Sequence, residues 1–141
     1  LSSTSSKREE ALAIGAHRLV AHGDEKEVEA AAASLDFILV TLATTEPVDF
    51  AKFFTLLRPR GTLCFVGMCP PITADVFTMG FTMHNITTSN TGGRKEMLEM
   101  LEFCARHRIG ANVRTRPMSE INDALRELHE KNVPCRFVLT N

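Results

Sequence analysis

The seven residues Gly61-Thr62-Leu63-Cys64-Phe65-Val66-Gly67 constrain the fold more than any other stretch. An apolar run with no polar alternation reads as a strand buried on both faces of a parallel sheet. Gly67 closes it at a point where a side chain would obstruct something. Ligands of open α/β sheets sit just beyond the carboxyl ends of such strands. Val66 and Gly67 are therefore the first candidates for the floor of a ligand crevice.

The flanking sequence alternates strand and helix signals. Leu1 to Ser3 reads as the tail of a strand, and a helix follows from about Lys7 to Ile14, ending at Gly15. Ser6 and Glu9 have the spacing of a capping box. Arg18 to Ala21 is a short strand. Asp24, with Glu27 three residues on, opens a helix to about Ala33, and Asp36 to Leu42 is a second continuous apolar strand. Pro47 suits the first turn of the next helix, in which Phe50, Phe53, Phe54 and Leu57 share one apolar face. That face reads as core packing rather than a cofactor box. Arg58-Pro59-Arg60-Gly61 ends this helix.

Beyond Gly67, Met68-Cys69-Pro70-Pro71 breaks regular structure, and a mixed crossover runs to about Met83. His84 to Thr88 is the next strand, and Thr87 to Gly93 a polar turn. A helix from about Arg94 to Arg106 carries Met97, Leu98, Leu101, Cys104 and Ala105 on one face. Asn112 to Arg116 is a short strand. Ser119 caps a last helix with Ile121, Ala124, Leu125 and Leu128 inward, and Cys135 to Leu139 closes the chain. This order predicts an α/β fold, a three-layer parallel sheet in one continuous domain.

The remaining signals narrow the function. A chain of 141 residues with 44% hydrophobic and 23% charged residues has an ordinary soluble composition. A formal net charge of −1 gives no electrostatic reason to expect nucleic acid or an acidic membrane surface. No run approaches the roughly 18 apolar residues of a membrane helix, and no signal peptide precedes the first charged residues. Cys64, Cys69, Cys104 and Cys135 lack CxxC spacing and read as reduced, buried thiols, which predicts a cytoplasmic location. A nucleophilic role for Cys69 has no histidine to support it. His17, His22, His84, His107 and His129 form no metal-ligand pattern and read as surface or core-edge residues. Neither GxSxG nor GxGxxG occurs. Lys7 and Arg8 beside free amides and serine hydroxyls make either a phosphate seat or merely a solvated helix start.

Eight segments in order carry a family resemblance: Ser2 to Ala11, Ile14 to Ala16, Asp36 to Leu39, Gly61 to Gly67, Asn90 to Glu96, Met100 to Cys104, Ile121 to Ala124 and Cys135 to Val138. Together they resemble the C-terminal part of the zinc-dependent medium-chain alcohol dehydrogenases, in the branch similar to cinnamyl alcohol dehydrogenase. The resemblance runs over essentially the whole chain. It implies a Rossmann-like, NAD(P)-binding domain lacking its first strand and glycine-rich turn, which would lie upstream of Leu1, as would the zinc ligands. Residues 117–141 would correspond to the return towards a catalytic domain.

The same resemblance implies site residues. Ser2, Ser3, Thr4 and Lys7 stand where this branch holds the 2′-phosphate of NADP, without the acidic residue that NAD enzymes use there. Val66 and Gly67 match the nicotinamide side, Ser89 and Asn90 the carboxamide side, and Arg136 an arginine that reaches the pyrophosphate. Val40, Thr88 and His17 depart from the family's usual residues. The implied activity is hydride transfer between an alcohol or aldehyde and NADP, with this fragment inactive alone. The rival expectation is a non-catalytic nucleotide-binding or oligomerisation module. Loss of the first strand would leave a gap that either closes or recruits another molecule, and a homo-oligomer is expected on that ground.

Overall fold

The computed structural model describes residues 1–45, 48–130, 133 and 135–141. Two compact units divide the chain, Leu1–Asn90 and Thr91–Asn141. Pro47, expected in a first helical turn, lies outside the described residues.

The first unit is built on three parallel strands in the order β1 (Leu35–Val40), β2 (Leu57–Phe65), β3 (Asn85–Thr88). The stretch containing Leu63, Cys64 and Phe65 is buried at consecutive positions, so β2 is covered on both faces as its composition predicts. Its upper register pairs Leu63 with Ile38 on one side and Ile86 on the other. The strand starts earlier than expected. Leu57 already pairs with Leu35, and the register then jumps to Thr62 opposite Phe37. Arg58, Pro59 and Arg60 are thus an irregularity within the strand rather than a helix end, with Arg60 at φ 68°. The Arg58 guanidinium closes on Asp36 at 3.0 Å across it.

β1 corrects a second expectation. Ile38 and Val40 are buried, but Phe37 and Leu39 on the other face are 54% and 53% exposed. Apolar composition does not distinguish a central strand from an edge strand, and β1 is an edge. Its buried face packs in one cluster with α3 (Ala51–Leu56), whose Phe53 and Leu56 are buried, as is Phe50 just before the helix. Phe50 meets Phe65 edge-to-face at 5.1 Å, and Phe54, half-buried against this cluster, also stacks on His84.

The strand expected at Arg18 to Ala21 is reduced to a single parallel bridge between Ser2 and Ala21. The Ser2 amide donates to Val20, and the His22 amide donates to Ser2, at 3.0 and 2.9 Å. A 3-10 turn (Ser5–Lys7) leads into α1 (Arg8–Ala13), so Ser6 lies within the turn and its expected capping box does not form. Asp24 does cap α2 (Glu25–Glu29), accepting from the amides of Lys26 and Glu27. The crossover after β2 contains α4 (Val76–Thr82), capped by Asp75.

The second unit contains α5 (Arg94–His107), β4 (Val113–Pro117), α6 (Ile121–Glu130) and β5 (Arg136–Thr140), with β4 and β5 paired in parallel. The Gly93 amide donates to Glu96 at 2.6 Å at the start of α5. Ser119 does not cap α6 but sits in a 3-10 turn (Met118–Glu120) before it. Of its expected inward residues, only Ala124 is buried. Arg116 pairs with Glu127 and lies over the Phe137 ring at 4.8 Å, tying α6 and β5 to β4.

The fold is therefore α/β with parallel pairing throughout the described residues. Their pairing is divided among a bridge, a three-stranded sheet and a two-stranded sheet.

Candidate functional site

The carboxyl ends of β1, β2 and β3 converge where the sequence places the first ligand floor. The Val40 carbonyl accepts from both the Val66 and Gly67 amides, at 3.0 and 3.3 Å, and the Ser89 amide donates to Phe65 at 2.9 Å. Val66, Gly67 and Ser89 are thus held side by side, each fixed by its main chain. Gly67 has its own reason to be glycine. A Cβ there would lie 1.9 Å from the Leu42 carbonyl oxygen. The close neighbour is the chain itself, running on from β1. The Cys69 thiol contacts the same carbonyl at 3.3 Å.

A cavity of about 330 Å³ opens along β1, with none of Val66, Gly67, Ser89 and Asn90 in its lining. Leu1, Ser2 and Ser3 form one wall, Leu35 and residues 37–42 the other, and His22 and Phe53 complete the lining. No carboxylate lines it. Ser2 and Ser3 are thereby brought to the same cavity as the end of β1. Thr4 and Lys7 lie just beyond, with the Thr4 hydroxyl 2.7 Å from that of Ser6. Asn90 follows Ser89, whose hydroxyl donates to the Asn90 carbonyl at 3.4 Å. Arg136 belongs to the second unit, where its amide donates to Asn112 at 2.8 Å.

Arg8, one of the two cations of the expected phosphate seat, is committed elsewhere. Its guanidinium donates to the Leu19 carbonyl at 2.8 Å and to Glu27 at 2.5 Å. The other Glu27 oxygen accepts from the Ala21 amide at 2.9 Å. Lys7 is left as the cation on this side. His22, read from sequence as a surface or core-edge residue, lines the cavity, edge-on to Phe53 at 5.9 Å. Its place directly after the Leu19-Val20-Ala21 run was the available signal.

All four cysteines are free, as expected, but only Cys64 and Cys135 are buried; Cys69 and Cys104 are partly exposed. Among the described residues no three His, Cys, Asp or Glu side chains group so as to hold a metal ion. The residues present therefore do not fit a catalytic zinc. No helix of the described residues is long and apolar enough to cross a membrane.

Residues 1–106 match the family model described as zinc-binding dehydrogenase. The mannitol dehydrogenase of Apium graveolens is 37% identical over 136 residues, covering 95% of this chain and 37% of that protein. Among solved structures, a cinnamyl alcohol dehydrogenase from Sorghum bicolor superposes with a TM-score of 0.86 at 27% identity, over 97% of this chain and 39% of that one. The CAD of Helicobacter pylori, solved in complex with NADP(H), shares the fold at a TM-score of 0.71 and 24% identity, over 98% of this chain and 38% of that one. The chain thus spans about two fifths of the length of the proteins it matches.

Proposed function

The chain belongs to the zinc-binding dehydrogenase family, and from that membership we propose that it is the NADP-binding portion of an alcohol dehydrogenase or aldehyde reductase. The observations that carry this reading are the convergence of Val66, Gly67 and Ser89 at the strand ends and, along β1, a cavity lined by Ser2 and Ser3 and by no carboxylate. NADP supplies a nicotinamide that accepts or donates hydride. This chain's residues would place it. Main-chain groups at Val66, Gly67, Ser89 and Asn90 would border the nicotinamide. Hydroxyls of Ser2, Ser3 and Thr4 with the Lys7 ammonium would hold the 2′-phosphate, which a carboxylate would repel. Arg136, in the second unit, is the residue that the family resemblance assigns to the pyrophosphate. On this reading no turnover of alcohol or aldehyde is expected from the chain alone, which a steady-state assay with NADP checks.

Calorimetric titration with NADP and NAD tests the reading. Preferential binding of NADP is expected, and equal affinity for the two removes the role given to Ser2, Ser3, Thr4 and Lys7.

One observation favours a second reading, a non-catalytic module that self-associates. β3 is an outer strand with every residue exposed, and nearby α4 leaves Val76, Phe77 and Phe81 at least 75% exposed. An apolar patch beside an open strand edge recruits a partner. A homo-oligomer through this edge is expected in light scattering; a monomer at high concentration excludes it.

A further inference from the structure

A second cavity, of about 580 Å³, lies at the amino ends of the same three strands and shares no lining residue with the one along β1. Leu57 and Pro59 at the start of β2, His84 just before β3, and residues of α3 and α4 line it. Val66, Gly67 and Ser89 lie at the opposite ends of these strands. Several threonines face the cavity, yet their hydroxyls are engaged locally. Thr55 donates to the Lys52 carbonyl at 2.8 Å, Thr78 to the Asp75 carboxylate, and Thr82 to the Thr78 carbonyl at 3.1 Å. These side chains therefore add carbon to the wall rather than free donors. The Phe54 and His84 rings, both in the lining, stack at 5.8 Å with 18° between their planes. Among the described residues Asp75 is the one carboxylate in the lining, and no lysine or arginine joins it there. Its two oxygens each accept one bond, from the Phe77 amide and the Thr78 hydroxyl, and each has room for a second.

We propose that this cavity binds a small aromatic amine, its ring against the Phe54 and His84 pair and its ammonium on Asp75. Cavities of this size, apolar with a few placed polar groups, are those that hold small organic ligands. A planar ring gains from burial against the carbon-rich wall and from stacking on the aromatic pair. Asp75 selects the charge. It repels an anion, and a neutral ligand leaves its free acceptor sites to water, whereas an ammonium donates to them in a charge-assisted bond. Nucleotides in open α/β sheets sit beyond the carboxyl ends of the strands, so this site at the amino ends is separate from the NADP site and does not rest on that reading.

The chain has neither tryptophan nor tyrosine, so the fluorescence of an indole ligand is read without background from the protein. Tryptamine is titrated at a pH of about 8, above the usual histidine range, beside two analogues that carry a methyl or a carboxylate in place of the ammonium. A saturable rise in anisotropy is expected for tryptamine, with the methyl analogue about fivefold weaker and no saturation by the carboxylate. NADP should not compete. Backbone resonances of Thr55, Met79 and His84 should shift, and those of Leu39 and Gly67 should not. Asp75→Asn keeps an acceptor for the Phe77 amide and should bring tryptamine to the affinity of the methyl analogue. Should α4 come loose in that variant, Ala51→Leu, at an exposed lining position on α3, narrows the cavity and should weaken tryptamine about tenfold. Equal binding of tryptamine and its methyl analogue by the natural chain, displacement by NADP, shifts confined to residues 37–42, or undiminished binding by Ala51→Leu would overturn the proposal.

Discussion

The Cβ that Gly67 lacks would lie 1.9 Å from the carbonyl oxygen of Leu42. That separation is inside any permitted contact, and the obstacle is main chain, which cannot rotate away. Gly67→Ala should therefore separate the ends of β1 and β2 and destabilise the first unit by about 1–3 kcal/mol. Gly80, in α4, has nothing within 4 Å of its Cβ position. Gly80→Ala should instead stabilise by roughly 0.5–1 kcal/mol. Thermal denaturation of the two variants checks both signs.

Leu63 is 0% exposed at the centre of the three-stranded sheet, whereas Phe77 is 75% exposed. Leu63→Ala should cost about 2–5 kcal/mol through lost burial and a residual cavity. Phe77→Ala should fall within about 0.5 kcal/mol despite the larger side chain removed. Urea unfolding with equal m-values would give the comparison directly.

Glu27 serves Arg8 with one oxygen and the Ala21 amide with the other. Glu27→Gln keeps an acceptor for the amide but removes the charge. The loss should be about 1 kcal/mol or less, because the pair is part-exposed, and it should shrink at high salt. Denaturation midpoints at low and high ionic strength separate this from a packing effect.

Asp75 is held below its usual carboxylate value of 3.8 chiefly by the Thr78 hydroxyl; desolvation, the next largest cause, opposes this, and the Phe77 and Thr78 amides add to the lowering. A depressed folded-state pKa means that the cap's contribution is complete above the unfolded value and disappears as pH falls through the folded one. The start of α4 should therefore loosen only in acid below pH 3.8. Exchange of the Phe77 amide across that range should show the step in the natural chain and lack it in Asp75→Asn.

Local composition was enough to reveal β2 and α3, because Leu63-Cys64-Phe65 and the Phe50, Phe53, Leu57 spacing each report burial without knowledge of partners. Features that depend on distant partners were not legible. Phe37 and Leu39 have strand composition, yet their exposure follows from β1 being an edge. Arg8 looked available for an anion until a carboxylate 19 residues away claimed it. Gly67 was recognised as a site of close approach, but the approaching group, Leu42, belongs to a segment 25 residues earlier whose course no local pattern encodes. The resemblance supplied the family and the list of cofactor candidates. The structure groups Ser2 and Ser3 at a cavity along β1, and Val66, Gly67 and Ser89 separately at the strand ends, outside that cavity's lining.

The wall that carries Leu1 to Ser3 has a mechanical consequence. It is joined to its neighbour by one bridge, at Ala21, and the amide of that same residue is gripped by Glu27, which also holds Arg8 at the start of α1. A panel hung on a single hinge moves as a whole when its latch is released. Truncating Glu27, as in Glu27→Ala, should accordingly speed exchange of the Ser2 and Ala21 amides together, so a carboxylate outside the cavity lining steadies the wall that carries Leu1 to Ser3.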